Sequence, residues 1–183
     1  MMLLKTAVCE FGMPAPEFTL MTPDGTAYSR DDLMGENGLL LAFICNHCPY
    51  VIDMMPRLVG DMIALRAAGI GIACIMSNDY DDYPADSPER MVEFGQVYGL
   101  TAPYLVDEDQ SVAKAYGAVC TPDFFGYHPE NGLQYRGRLD NVPMRGDAKG
   151  RIPELVEGMT QIAETGFGPE KQTPSTGCSI KWS

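Results

Sequence analysis

Gly38-Leu39-Leu40-Leu41-Ala42-Phe43-Ile44-Cys45-Asn46-His47-Cys48-Pro49 decides how this chain is read. The run from Leu39 to Ile44 is apolar without alternation, as expected of a strand covered on both faces. It delivers two cysteines, two residues apart, to the start of a helix-like stretch. A helix N-terminus offers backbone N–H groups and positive potential, which favour a thiolate. The spacing also lets the two sulfurs close a small disulfide ring, so the pair suits reversible dithiol chemistry.

Outward from this segment the punctuation is regular. From Pro49 to Ala68, Val51, Ile52, Met55, Leu58, Val59, Met62, Ile63 and Leu65 recur at helical spacing. Pro56 is expected to kink that helix or reset its start, and Gly69 to end it. Ile70 to Ile75 is a second buried strand, which completes a right-handed strand–helix–strand crossover. Upstream, Ala15-Pro16-Glu17-Phe18-Thr19-Leu20 alternates weakly into the turn Pro23-Asp24-Gly25, and Ser29 reads as an N-cap. Downstream, Ser77 to Asp86 is a polar, acidic loop, and Ser87-Pro88-Glu89 opens a helix to about Tyr98. A strand at Tyr104–Val106 and a helix at Ser111–Tyr116 follow, then a hairpin of 124–127 with 133–135 and an amphipathic helix at 152–165. The stretch from Gly166 is rich in Gly, Pro, Thr and Ser and reads as a flexible tail. Sites in such sheets sit beyond the carboxyl ends of parallel strands. Cys45 and Ser77-Asn78 both occupy that position, so the acidic loop is expected to border the dithiol.

The bulk numbers exclude several classes. A chain of 183 residues, 45% hydrophobic and 21% charged, fits one globular domain. The expected layout is a single domain over 1–183 with 166–183 as a C-terminal tail. A net charge of -12 argues against nucleic-acid or membrane partners, because no basic patch is present to meet phosphates. The start Met1-Met2-Leu3-Leu4-Lys5-Thr6 is too short an apolar run for a secretory signal, and a cytoplasmic location is expected. There thiols stay reduced, so the six cysteines are not read as a structural framework.

Several segments together resemble the thioredoxin superfamily, in its peroxiredoxin-like (redoxin) branch. They are Ala15-Pro16-Glu17-Phe18, Asn46-His47-Cys48-Pro49-Tyr50-Val51, Ser77-Asn78-Asp79, Cys120-Thr121-Pro122-Asp123-Phe124, Tyr135-Arg136-Gly137-Arg138-Leu139-Asp140 and Gly177-Cys178-Ser179-Ile180-Lys181-Trp182. The resemblance implies an α/β thioredoxin-like fold: a mixed central sheet flanked by helices, with a peroxiredoxin-type N-terminal hairpin and a C-terminal extension. It also implies thiol chemistry, with Cys45 as nucleophile and Cys48 as resolver. Pro122 matches the cis-proline that faces the dithiol in thioredoxins, and His47 matches a histidine that tunes the thiolate in periplasmic dithiol oxidases. Aligned on a peroxidatic cysteine, Cys48 places Cys45 where peroxiredoxins carry Thr or Ser and Leu41 where they carry Pro. Those departures favour disulfide exchange over peroxide reduction.

The expected function is therefore thiol–disulfide oxidoreduction by a Cys45/Cys48 dithiol, with Cys45, Cys48, His47 and Pro122 as site residues. No cofactor and no metal are expected. Substrates are protein or small-molecule disulfides and thiols, with a cellular thiol reductant to recycle the pair. The competing readings are a thiol peroxidase with Cys48 peroxidatic, and a non-catalytic metal- or protein-binding member of the fold. All but the last require two sulfurs that are close and accessible. Among the other cysteines, Cys74 and Cys9 are expected to be inert. Cys120 reads as either a redox partner or a small buried hydrophobe, and Cys178 as either a resolving thiol or tail packing. Asp107-Glu108-Asp109-Gln110-Ser111 is expected to be a solvated turn that caps the following helix, and Arg136 and Arg138 to make ion pairs or assist a thiolate.

Overall fold

The structure is a computed structural model that describes residues 2–183. Its elements in chain order are β1 (Leu3–Lys5), β2 (Thr19–Met21), β3 (Ala27–Ser29), α1 (Arg30–Leu33), β4 (Gly38–Phe43), α2 (Pro49–Ala67) and β5 (Ile70–Met76). A short 3-10 turn at Pro84–Asp86 leads to α3 (Pro88–Tyr98), β6 (Tyr104–Val106), α4 (Ser111–Tyr116), β7 (Cys120–Thr121) and β8 (Asp123–His128). The chain finishes with β9 (Gly132–Tyr135), α5 (Glu154–Thr165) and β10 (Thr176–Ser179).

The main sheet has the order β3-β2-β6-β5-β4-β8-β9. Strands β4, β5 and β6 are parallel, β2 and β8 run against them, and the edge strands β3 and β9 run with them again. This is the mixed sheet expected, with β2–β3 as the N-terminal hairpin. β4 lies between β5 and β8, and every one of its residues is buried. Its pleat divides them between two cores. Leu40, Ala42 and Ile44 pack with Val51, Met55, Leu58 and Met62 of α2 and with Leu155, Met159 and Ile162 of α5. Leu39, Leu41 and Phe43 pack with Ala73, Leu105, Tyr116 and Phe125 on the other face. Helical cover on both sides explains why no polar residue interrupts the run. Each buried Leu adds about 1.5–3 kcal/mol of transfer free energy.

α2 runs through Pro56 without interruption, so its start is not reset there. Pro56 is exposed, and so is Ile52, whose carbonyl would otherwise accept from position 56. Water can satisfy that carbonyl, which lowers the cost of the missing donor. Ser29 forms the expected cap and goes further: its hydroxyl and the Asp32 carboxylate make a reciprocal capping box. Ser87 stands at the N-cap of α3, but its hydroxyl donates to Glu89 Oε2 at 2.8 Å instead of capping the backbone.

The largest departure lies at the C-terminus. The stretch read as a flexible tail contributes β10, which pairs antiparallel with β1 on one side and β7 on the other. Cys178 stands opposite Thr121 in that register, and Ile180 is buried beside it in the chain. Gly177 is needed there, because a Cβ would collide with the backbone carbonyl of Thr121. Among the described residues no helix is long and apolar enough to cross a membrane.

Candidate active site

The dithiol segment leaves β4 beyond its carboxyl end, and Ser77-Asn78 leaves β5 at the same edge of the sheet. Cys48 is the N-cap residue of α2, with Pro49 in the first turn. The Thr121 carbonyl lies 3.2 Å from Cys48 Sγ, and Thr121 Oγ1 lies 3.2 Å from Cys45 Sγ. The Thr121-Pro122 peptide is cis, as expected. Thus Cys45, Cys48 and the Thr121-Pro122 turn converge. His47 is held at the rim and bonds Asp86 through Nδ1 at 2.7 Å.

A third sulfur completes the cluster. Cys178 Sγ lies 2.6 Å from Cys48 Sγ. Cys120 does not join, since its thiol is directed at the Pro122 carbonyl at 3.7 Å. Burial raises the Cys120 pKa and pushes Cys74 up to about 12 and Cys9 to about 11, so these three are held as thiols.

Electrostatics single out Cys48. The hydrogen bond from Cys45 lowers its pKa to about 5, with further help from Cys178 and the Val51 N–H, against the opposing effect of burial. Cys45 is pushed well up, first by that same hydrogen bond to Cys48, then by burial and by the negative charge of Asp86. Burial, followed by the bond to Cys48, takes Cys178 up to about 12. These directions favour a thiolate at Cys48 over one at Cys45 or Cys178. The order of the cysteines put the nucleophile at Cys45, whereas the lower pKa lies at Cys48.

Accessibility also departs from expectation. Cys45 is 1% exposed and Cys48 0%. The cover is stitched by hydrogen bonds from two sides. Asn46 N–H donates to Asp86 Oδ1 at 2.7 Å, and its side-chain amide donates to the Ala85 carbonyl at 3.0 Å. Opposite, Lys181 N–H donates to Asn78 Oδ1 at 2.9 Å and Asp79 N–H donates to the Lys181 carbonyl at 2.8 Å. The nearest opening is a groove of about 370 Å³ lined by Tyr50, Met54, Arg57, Pro122, Leu139 and Ser175. It reaches Pro122, but neither sulfur of the pair lines it.

Asp86 is the residue the sequence did not single out. It is fully buried and accepts from His47, from Asn78 Nδ2 at 2.8 Å and from the Asn46 N–H. Burial alone would raise its pKa, but these donors hold it below the ordinary value. Asp86 in turn raises the His47 pKa. The acidic loop does border the dithiol, as expected, through a residue at its far end. The ligand atoms of Cys45, His47 and Asp86 fall within 4.8 Å of one another, yet both Asp86 oxygens already accept protein hydrogen bonds. As arranged, Asp86 is committed to His47, Asn78 and Asn46, while the Cys45 sulfur faces Thr121 Oγ1.

The remaining candidates take structural roles. Asp107 caps α4 as expected, accepting from the N–H groups of Val112 at 3.1 Å and Ala113 at 2.8 Å, but it is buried instead of solvated. Arg136 pairs with Asp123 at 3.1 Å and stands over the Phe125 ring, and Arg138 pairs with Glu154.

A mixed sheet with a cysteine pair at the N-terminus of α2 and a cis-proline turn facing it defines a thioredoxin-like oxidoreductase. Residues 11–139 match the AhpC/TSA family, and the chain belongs to it. It is similar to an uncharacterized conserved protein from Geobacillus kaustophilus, with a TM-score of 0.92 and 37% identity over 100% of this chain and 97% of that one. A hypothetical protein from Sinorhizobium meliloti 1021, SMc02350, superposes with a TM-score of 0.90 and 33% identity over 98% of each chain. Among curated proteins, "Putative peroxiredoxin bcp" of Coxiella burnetii is 29% identical over 64% of this chain and 72% of its own length.

Proposed function

We propose that the protein exchanges disulfides through the Cys45/Cys48 pair, with Cys48 as the attacking thiolate. The observation that carries this reading is the place of Cys48 at the start of α2, gathered with Cys45 around Thr121 and with its pKa lowered to about 5. At pH 7 such a group is about 99% ionised, whereas a free thiol near ~8.5 is about 3% ionised. In the forward direction the Cys48 thiolate attacks a substrate disulfide, forming a mixed disulfide and releasing one substrate thiolate. Cys45 then gives up its proton and attacks Cys48 Sγ, which releases the second thiol and leaves the Cys45–Cys48 disulfide. A thiol reductant of the cell restores the dithiol, which suits a cytoplasmic setting. Because both sulfurs are covered, the substrate has to enter as the cover opens, and the groove beside Pro122 is the natural approach. Pro122 shapes that approach, and His47 tunes the site through Asp86.

The test is turnover of a small-molecule disulfide with a thiol reductant as electron donor. Cys48→Ser should abolish multiple turnover. A Cys48→Ser protein as active as the parent would remove the reading.

A second reading, peroxide reduction with Cys48 peroxidatic, is favoured by the ionised state of Cys48 and by the relative named as a peroxiredoxin. Stopped-flow oxidation by hydrogen peroxide separates the two. A rate constant no higher than that of free cysteine leaves disulfide exchange alone.

A further inference from the structure

We propose that Cys178 is a third redox cysteine, which takes the disulfide over from Cys45 and so fastens β10 across the site. This rests on the proposed dithiol reading and extends it to the C-terminal strand. The contact is direct: Cys48 Sγ and Cys178 Sγ lie 2.6 Å apart, with both residues buried. A disulfide needs about 2.05 Å, so bonding asks only for a small approach of the two sulfurs. The placement is built rather than accidental. β10 is paired on both edges, Cys178 faces Thr121 in register, and Thr121 itself touches Cys45 and Cys48. Gly177 lets the strand press against the Thr121 carbonyl at a distance no side chain would tolerate. The nearby Cys120, by contrast, has no sulfur among its hydrogen-bond partners.

The step is an internal exchange and balances without an outside oxidant. Cys178 loses its proton and attacks Cys48 Sγ of the Cys45–Cys48 disulfide. The Cys48–Cys178 bond forms as the Cys45–Cys48 bond breaks, and Cys45 leaves as a thiolate that takes up a proton. The disulfide count is unchanged. Two states follow: one with the disulfide inside the Cys45–Cys48 pair and β10 held by hydrogen bonds alone, the other with β10 covalently closed over Cys48.

The test is disulfide mapping of the full chain after equilibration with oxidised glutathione, acid quenching, alkylation and mass spectrometry. Wild type should yield a Cys48–Cys178 peptide. Cys45→Ser should yield that linkage as its main product, and Cys178→Ser should yield only Cys45–Cys48. If Cys48 and Cys178 stay unlinked in wild type and in Cys45→Ser while Cys178→Ser still forms Cys45–Cys48, the third cysteine is refuted and the dithiol reading stands. If Cys178→Ser forms no Cys45–Cys48 bond but Cys45→Ser links Cys48 to Cys178, the dithiol reading fails and Cys178 is the partner. Cys45→Ala serves as a second variant, with the same expected linkage, should Cys45→Ser not fold.

Discussion

Cys48 sits where two effects oppose one another. Hydrogen bonds from Cys45, Cys178 and the Val51 N–H favour its thiolate, and burial disfavours it. The balance falls below the ordinary thiol value, to about 5. Cys45 lies nearer the fixed negative charge of Asp86, which disfavours a second thiolate there. This yields a residue-scale prediction with a readout that needs no reagent access. Thiolate absorbance near 240 nm of the reduced protein should show one ionised thiol that persists down to about pH 5. Cys48→Ser should lose it. Cys45→Ala, which removes the main donor, should move the midpoint upward by a unit or more, whereas Cys45→Ser keeps a hydroxyl donor and should shift it less. An unchanged midpoint in Cys45→Ala would mean that the hydrogen bond is not the cause. The cysteine pair itself was legible in the sequence from its place between a strand and a helix. The order of roles proposed above was not, because it rests on burial and on partners such as Cys178 and Asp86 that reach the site only through the fold.

Elements whose residues carry their own period were legible. β4 and β5 show as unbroken apolar runs, α2 and α5 as helical stripes, and β8–β9 as two short runs around a Gly turn. β1, β7 and β10 were not, for a physical reason. They are two to four residues long, and β10 reads Thr-Gly-Cys-Ser, with neither alternation nor β-branched enrichment. Their stability comes from partners across the whole chain, which local pattern does not record. The same fact makes β10 testable as a cover. In Gly177→Ala the new methyl group meets the Thr121 carbonyl, so β10 has to shift away from β7. Native-state alkylation of Cys48 by iodoacetamide should become faster, by about tenfold if the shift costs ~1.4 kcal/mol in closing the cover. Far-UV circular dichroism should barely change. Equal alkylation rates in the two proteins would mean that β10 does not control access.

For the whole molecule, the two possible disulfides differ in what they restrain. A Cys45–Cys48 bond closes a ring within one turn of chain. A Cys48–Cys178 bond spans 130 residues, nearly the entire fold, and chain-entropy arguments give such a loop about 4–5 kcal/mol of stabilisation. Wild type equilibrated with oxidised glutathione should therefore unfold at a higher denaturant concentration than the reduced protein, and Cys178→Ser should lose most of that difference. Coincident curves for oxidised and reduced wild type would speak against a long-range link.

The position of Cys178 also bears on how the protein is made. Cys45 and Cys48 emerge from the ribosome with β4 and α2, while the strand that covers them is translated 130 residues after Cys48. Throughout that interval the nascent pair meets the surrounding thiol pool without its lid, so its oxidation state on release is set by the compartment in which translation occurs.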